Sequence, residues 1–151
     1  MEICAAILVF ILNIYGYEIY YKRYKRYINF RETFLTYIMK YGKEIACPFV
    51  FGSAGYESER ENYIKAQNDL SKLADELLGF SEVIPKPKLM FPASQDIFDA
   101  AKEIKNVSQL IYNENKHITR ESKHSIRESI SIASIKLRLD AGEITIGSEM
   151  Q

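Results

Sequence analysis

Tryptophan is absent from this 151-residue chain, and cysteine, histidine and proline are scarce at two, two and four. Two cysteines, Cys4 and Cys47, are too few for a disulfide-stapled scaffold and lack the C-x-x-C spacing of zinc or redox sites. The two histidines, His117 and His124, lie seven apart, which does not give the i, i+4 pair that binds metal from one helix face. No metal or cofactor is expected. Four prolines and seven glycines exclude collagen-like and low-complexity chains. Charge of either sign is not in excess: 20 Lys and Arg balance 20 Asp and Glu. A nucleic-acid partner is therefore not expected, because phosphate binding calls for a basic surplus. With 47% apolar and 26% charged residues the chain folds, and its length suits one domain.

What the sequence does have is tyrosine in one place. Eight of its eleven tyrosines fall between Tyr15 and Tyr41. Just before them, Ile3 to Tyr17 carries no charge and a single amide, Asn13. Extended to Met1–Tyr21, that stretch gives about 31 Å of helix, enough for a hydrocarbon core of roughly 30 Å. A secretory signal would start with cations and end in small residues, the reverse of what stands here. The reading is an N-terminal transmembrane helix, with a buried core helix as the competing account. Tyr17, Tyr20, Tyr21 and Tyr24 form a membrane-interface belt with Lys22, Arg23, Lys25 and Arg26, and the cations hold their side in the cytoplasm. The N-terminus is then outside and the bulk of the chain cytoplasmic. Residues 1–46 carry a net +3 and residues 47–151 a net −3, so the charge is polarised along the chain.

The rest reads as helix. Phe30, Phe34, Tyr37, Ile38, Tyr41 and Ile45 recur at three- and four-residue steps. They predict one helix continuous with the span, ending near Gly42 or before Pro48. Phe49-Val50-Phe51 reads as a hydrophobic plug or a short extended piece. Ser58 and Glu61 have capping-box spacing. After them Tyr63, Ala66, Leu70, Leu73, Leu77 and Phe80 make a heptad-like seam. Pro85, Pro87 and Pro92 mark an extended crossover. Ser94 is placed as an N-cap for a second seam of Ile97, Ala101, Ile104, Ser108 and Ile111. A last helix runs from about Thr119 through Ile126, Ile130, Ala133 and Leu137 to about Leu139, with a strand pair over 135–147 as the alternative. The fold class is all-α: a transmembrane helix continuing into a cytoplasmic antiparallel helical bundle. The division is 1–27 for the anchor and its belt, 28–139 for the bundle, and 140–151 for a flexible tail.

The two apolar seams, joined by a Pro-containing linker ending in Phe91-Pro92-Ala93-Ser94, resemble small uncharacterised bacterial proteins that pair one span with a cytoplasmic helical hairpin or bundle. The resemblance implies a bacterial inner-membrane setting and transfers no catalytic residue.

Constellations that could carry chemistry are few. Gly52-Ser53-Ala54-Gly55 is neither G-x-S-x-G nor a phosphate loop, since Tyr56-Glu57 follows it. Glu57, Glu59 and Glu61 cluster, but Arg60 and capping account for them. Ser122, Ser125 and Ser129 line one helix face as a half-buried seam. No catalytic residue is assigned. The chain is read as a membrane-anchored helical scaffold or interaction protein, partnered by membrane lipid and by a second copy or another protein. Asn13 is the candidate residue for association through the span. Two alternatives are a membrane-anchored sensor or enzyme using the 49–57 loop, and a membrane-perturbing toxin or defence effector.

Overall fold

A computed structural model describes residues 2–49, 58–84, 91–112 and 120–139, and among these the only regular secondary structure is helical. The order is α1 (Glu2–Gly16), a π-helical turn (Tyr17–Tyr21), α2 (Lys22–Lys40), α3 (Gly42–Ala46), α4 (Arg60–Ser81), α5 (Ser94–Ile111) and α6 (Arg120–Lys136). The run from α1 through α2 is unbroken, as the sequence predicts. It stops at Tyr41, whose backbone leaves the helical region at φ −105° and ψ 21°. The short α3 then carries the chain to Cys47, just before Pro48, whose ring disfavours helix in the residue preceding it.

The expected transmembrane segment is not there. Among the described residues no helix is long and apolar enough to cross a membrane. The physical reason is length. The apolar α1 has 15 residues, about 22 Å of rise against roughly 30 Å of hydrocarbon. The π turn that follows contains Glu18, and Lys22 and Arg23 come next. The inner-membrane placement with an outside N-terminus falls with the span. The competing account fails as well, because Val9 to Tyr15 are all exposed and α1 is no core helix.

The core is built by α2, α4, α5 and α6. Both seams are buried throughout: Tyr63, Ala66, Leu70, Leu73, Leu77 and Phe80 from α4 meet Ile97, Ala101, Ile104, Ser108 and Ile111 from α5. Alanines 66, 74, 100 and 101 are fully enclosed and let the helices approach closely while leucine and isoleucine fill the layers between. Each fully buried leucine or isoleucine contributes about 1.5–3 kcal/mol relative to exposure. Ile126, Ile130, Ala133 and Leu137 supply the α6 stripe, and Tyr27, Phe30, Phe34 and Ile38 the α2 stripe.

Polar contacts give the directions. The hydroxyl of Ser94, at the start of α5, donates to the carbonyl of Ser81 at the end of α4 (2.5 Å), while Arg60 at the start of α4 donates to the Tyr112 hydroxyl just past α5 (2.7 Å). Lys136 at the end of α6 pairs with Asp96 at the start of α5 (2.7 Å). Arg23 at the start of α2 donates to the Val83 carbonyl beyond α4. Neighbouring helices are therefore antiparallel, α4 lies between α2 and α5, and α6 packs on α5. Tyr27 closes the arrangement by donating to the Leu137 carbonyl beyond α6 (2.6 Å).

Two capping expectations need correction. Helix α4 begins at Arg60 with Glu59, not Ser58, as its N-cap and with no side-chain capping bond, and the Glu59 carboxylate accepts from Lys43 on α3 (2.6 Å). Ser94 is the first residue of α5, not its cap; its hydroxyl ties α5 to α4. At the far end, α6 stops at Lys136, short of Leu139. Leu139 N–H donates to Ser134 O and Arg138 N–H to Ile135 O, with Arg138 at φ 54°. That is a Schellman cap with arginine where glycine is usual. Residues 135–139 thus end a helix and are not a strand; the remainder of the alternative strand pair and the tail lie outside the described residues.

Candidate interaction surface

Helix α1 is apolar around nearly its whole circumference. At roughly 100° per residue, Ile7, Val9, Phe10, Ile11, Leu12, Ile14 and Tyr15 point in all directions except the one taken by Asn13. All are exposed, Phe10 at 67% and Tyr15 at 66%. Among the described side chains, none before Tyr20 contributes to the hydrophobic core or packs against it. Asn13 is exposed too, and its amide nitrogen donates to the Val9 carbonyl of its own helix (3.0 Å).

The belt residues predicted from sequence divide into two groups. In the π turn the Lys22 N–H donates to the Tyr17 carbonyl five residues back, and the Tyr17 and Tyr21 rings stack at 5.1 Å. Both rings are exposed, and Glu18 pairs with Lys22 (2.7 Å), holding its ammonium above the ordinary lysine range. Lys25 is exposed. The others are drawn into the body. Tyr20 packs against the core, and Tyr24 sets its edge on Phe91 at 6.1 Å. Arg23 holds Val83, and the Arg26 guanidinium lies over the Phe30 and Phe80 rings at 5.4 and 5.8 Å. Tyr/Lys/Arg composition marked the segment; only packing sorted it into a free rim and a structural joint.

The sites weighed for catalysis are not brought together. Gly52, Ser53, Ala54, Gly55, Glu57 and His117 lie outside the described residues, as do Val50 and Phe51 of the expected plug. Phe49 itself is buried, between Tyr63 and Tyr112 at 5.4 and 5.0 Å. Its N–H donates to Ile111 O (2.9 Å) and closes one end of the bundle. His124 is exposed, and so is the free thiol of Cys47. Among the described residues no three His, Cys, Asp or Glu side chains stand where they could hold a metal ion. In the serine stripe, Ser122 and Ser125 are half-buried, while Ser129 is buried and accepts a bond from Asn106 of α5 (2.9 Å).

Sequence reading missed three polar clusters, all of which join helices. Tyr41 donates to Asp69 of α4 in a very short hydrogen bond, with the Lys40 ammonium 3.5 Å from the same carboxylate and 4.6 Å from the Tyr41 ring centre. Lys105 of α5 donates to Ser71 and Asp75 of α4, each at 2.8 Å. Lys136 lies between Asp96 and Asp99, and its hydrogen bond holds the Asp96 carboxyl below the usual carboxylate range. Each group flanks an apolar seam in the sequence, but nothing in one helix's pattern names its partner on another. These clusters fasten the body, and none of the described side chains of α1 takes part in it. The chain matches no family model, no curated protein and no solved structure.

Proposed function

We propose that this chain is a helical interaction protein, a scaffold in which α2 to α6 make the body and α1 is the docking element. The observation that carries the reading is the exposure of the apolar side chains around α1. Leaving isoleucine, leucine or phenylalanine in water forgoes about 1.5–3 kcal/mol per side chain relative to full burial. A run of such residues on one short helix supplies a strong drive to associate, and contiguous exposed apolar surface of this kind marks binding sites in folded proteins. The body supports the role by being rigid where α1 joins it: Arg23, Tyr24 and Arg26 lock the start of α2 to the chain beyond α4 and to the Phe30–Phe80–Phe91 ring cluster. Its polar clusters are engaged between helices, which supports an architectural part over a catalytic one.

A photo-crosslinking residue placed at Phe10 of the full chain tests this in cells. A discrete protein adduct is expected there, and none from the same residue placed at Ile135, an isolated exposed side chain on α6. No protein adduct at Phe10, or the same smear from both positions, would overturn the assignment.

A further inference from the structure

We infer that the π turn at Tyr17–Tyr21, with Gly16 at its head, is a hinge on which α1 pivots as a rigid rod against a fixed body. Three features coincide at these residues. The Lys22 N–H reaches back five residues to the Tyr17 carbonyl, so the four-residue ladder that stiffens an α-helix is interrupted there. Gly16 stands immediately before the turn in ordinary helical backbone, at φ −62° and ψ −44°. A Cβ built on it meets nothing within 4 Å, so neither backbone nor packing calls for glycine at this position. What glycine contributes is freedom, since inside a helix it is the weakest former after proline. Side-chain support also begins here. Among the described side chains none before Tyr20 packs against the core, whereas Tyr20 and Tyr24 do, and Arg23 and Arg26 hold the end of α4. Long helices bend at such π turns and glycines.

Two contacts brace the turn from outside, the Glu18–Lys22 ion pair at 2.7 Å and the Tyr17–Tyr21 ring stack at 5.1 Å. Both join residues of the same helical run, so neither ties α1 to α4, α5 or α6. All four side chains are exposed, and exposed ion pairs are weak and screened by salt. The direction of α1 is therefore set by the turn itself. Ile7 lies nine residues before Gly16, about 13.5 Å of helical rise, so a pivot of about 30° carries it about 7 Å. Tyr20 and everything after it stay where they are. A docking helix mounted in this way can be re-aimed without opening the core that carries it. The hinge stands whatever α1 docks against.

The test uses the purified full chain with Cys4→Ser and Cys47→Ser. Spin labels go on Ile7→Cys in α1 and Ile135→Cys in α6, both exposed, and pulsed electron paramagnetic resonance reads the spread of distances between them. Dilution with unlabelled protein restricts the signal to pairs within one chain. Met39→Cys with Ile135→Cys, two exposed positions within the body, supplies the rigid reference. The α1 pair should be broader than the reference pair by about 5 Å or more. Deleting Ile19 takes the extra residue out of the turn and leaves every charge in place; the distribution should narrow to that of the reference. Gly16→Ala, whose methyl has room, should narrow it in part. Circular dichroism checks that each variant keeps its helix content. An α1 pair as narrow as the reference would overturn the hinge. Equal breadth with and without Ile19 would overturn the π turn as its seat. No partner is present in this measurement, so either result would leave α1 as the docking element to be judged by the Phe10 photo-adduct alone.

Discussion

Tyr27→Phe tests how the first and last helices of the bundle are joined. The ring is 3% exposed, and its hydroxyl donates to the Leu137 carbonyl at 2.6 Å, 110 residues away in sequence. Leu137 lies one residue past α6 in a fully buried position, and its carbonyl is among those that a helix end leaves without an intrahelical donor. Phenylalanine keeps the ring and its packing against Phe91 at 6.2 Å, so apolar burial scarcely changes. What is lost is one hydrogen bond, worth about 0.5–1.5 kcal/mol net, and the acceptor left buried costs about 1–3 kcal/mol. The expected destabilisation is about 1.5 kcal/mol, since the isosteric ring also spares the desolvation of a phenol. For a chain of this size that lowers Tm by about 3–6 °C. Urea unfolding followed by circular dichroism should show a lower midpoint at an unchanged slope. A midpoint shift worth less than about 0.3 kcal/mol would refute the reasoning, because the carbonyl would then have to be satisfied without Tyr27. Burial pushes the Tyr27 phenol above its ordinary range, so the bond holds below the normal tyrosine pKa and is lost as pH rises through the raised value.

Two further outcomes follow from contacts between helices. Lys136→Met removes the ammonium that lowers the Asp96 pKa, so wild type should exceed the variant in stability at neutral pH. A depressed carboxylate contributes above its unfolded pKa and loses that contribution as pH falls through the folded value; the gap should therefore close in strong acid, measured by urea unfolding from about pH 7 down to about pH 2. Arg138→Gly replaces a residue held at φ 54°, where an L side chain costs roughly 1 kcal/mol, and should raise the thermal midpoint slightly; a fall would show that the Arg138 side chain, not its backbone, secures the end of α6.

Local patterning was enough to find the helices. Three- and four-residue spacing located α2, α4, α5 and α6 and named their buried stripes, because a helix that packs on one side must repeat its apolar residues at that period. Backbone chemistry placed the break before Pro48 for the same local reason. The caps were another matter: Ser94 has capping chemistry, yet the Ser81 carbonyl of α4 takes its hydroxyl, and the N-cap of α4 is Glu59 rather than Ser58. Composition also singled out the apolar N-terminal stretch and its tyrosine–cation boundary, but it measured length as though every residue from Met1 to Tyr21 belonged to one apolar helix. The π turn at Tyr17–Tyr21, which carries Glu18, and the docking of Arg23, Tyr24 and Arg26 onto the body limit the apolar part of that unbroken run to the 15 residues of α1. Sequence by itself determined which residues are helical and which faces are apolar, since both follow from periodicity within one segment. Only the tertiary structure decided which faces meet, because the choice between burying α1 and leaving it exposed depends on whether a partner surface remains, and α2, α4, α5 and α6 satisfy one another without it.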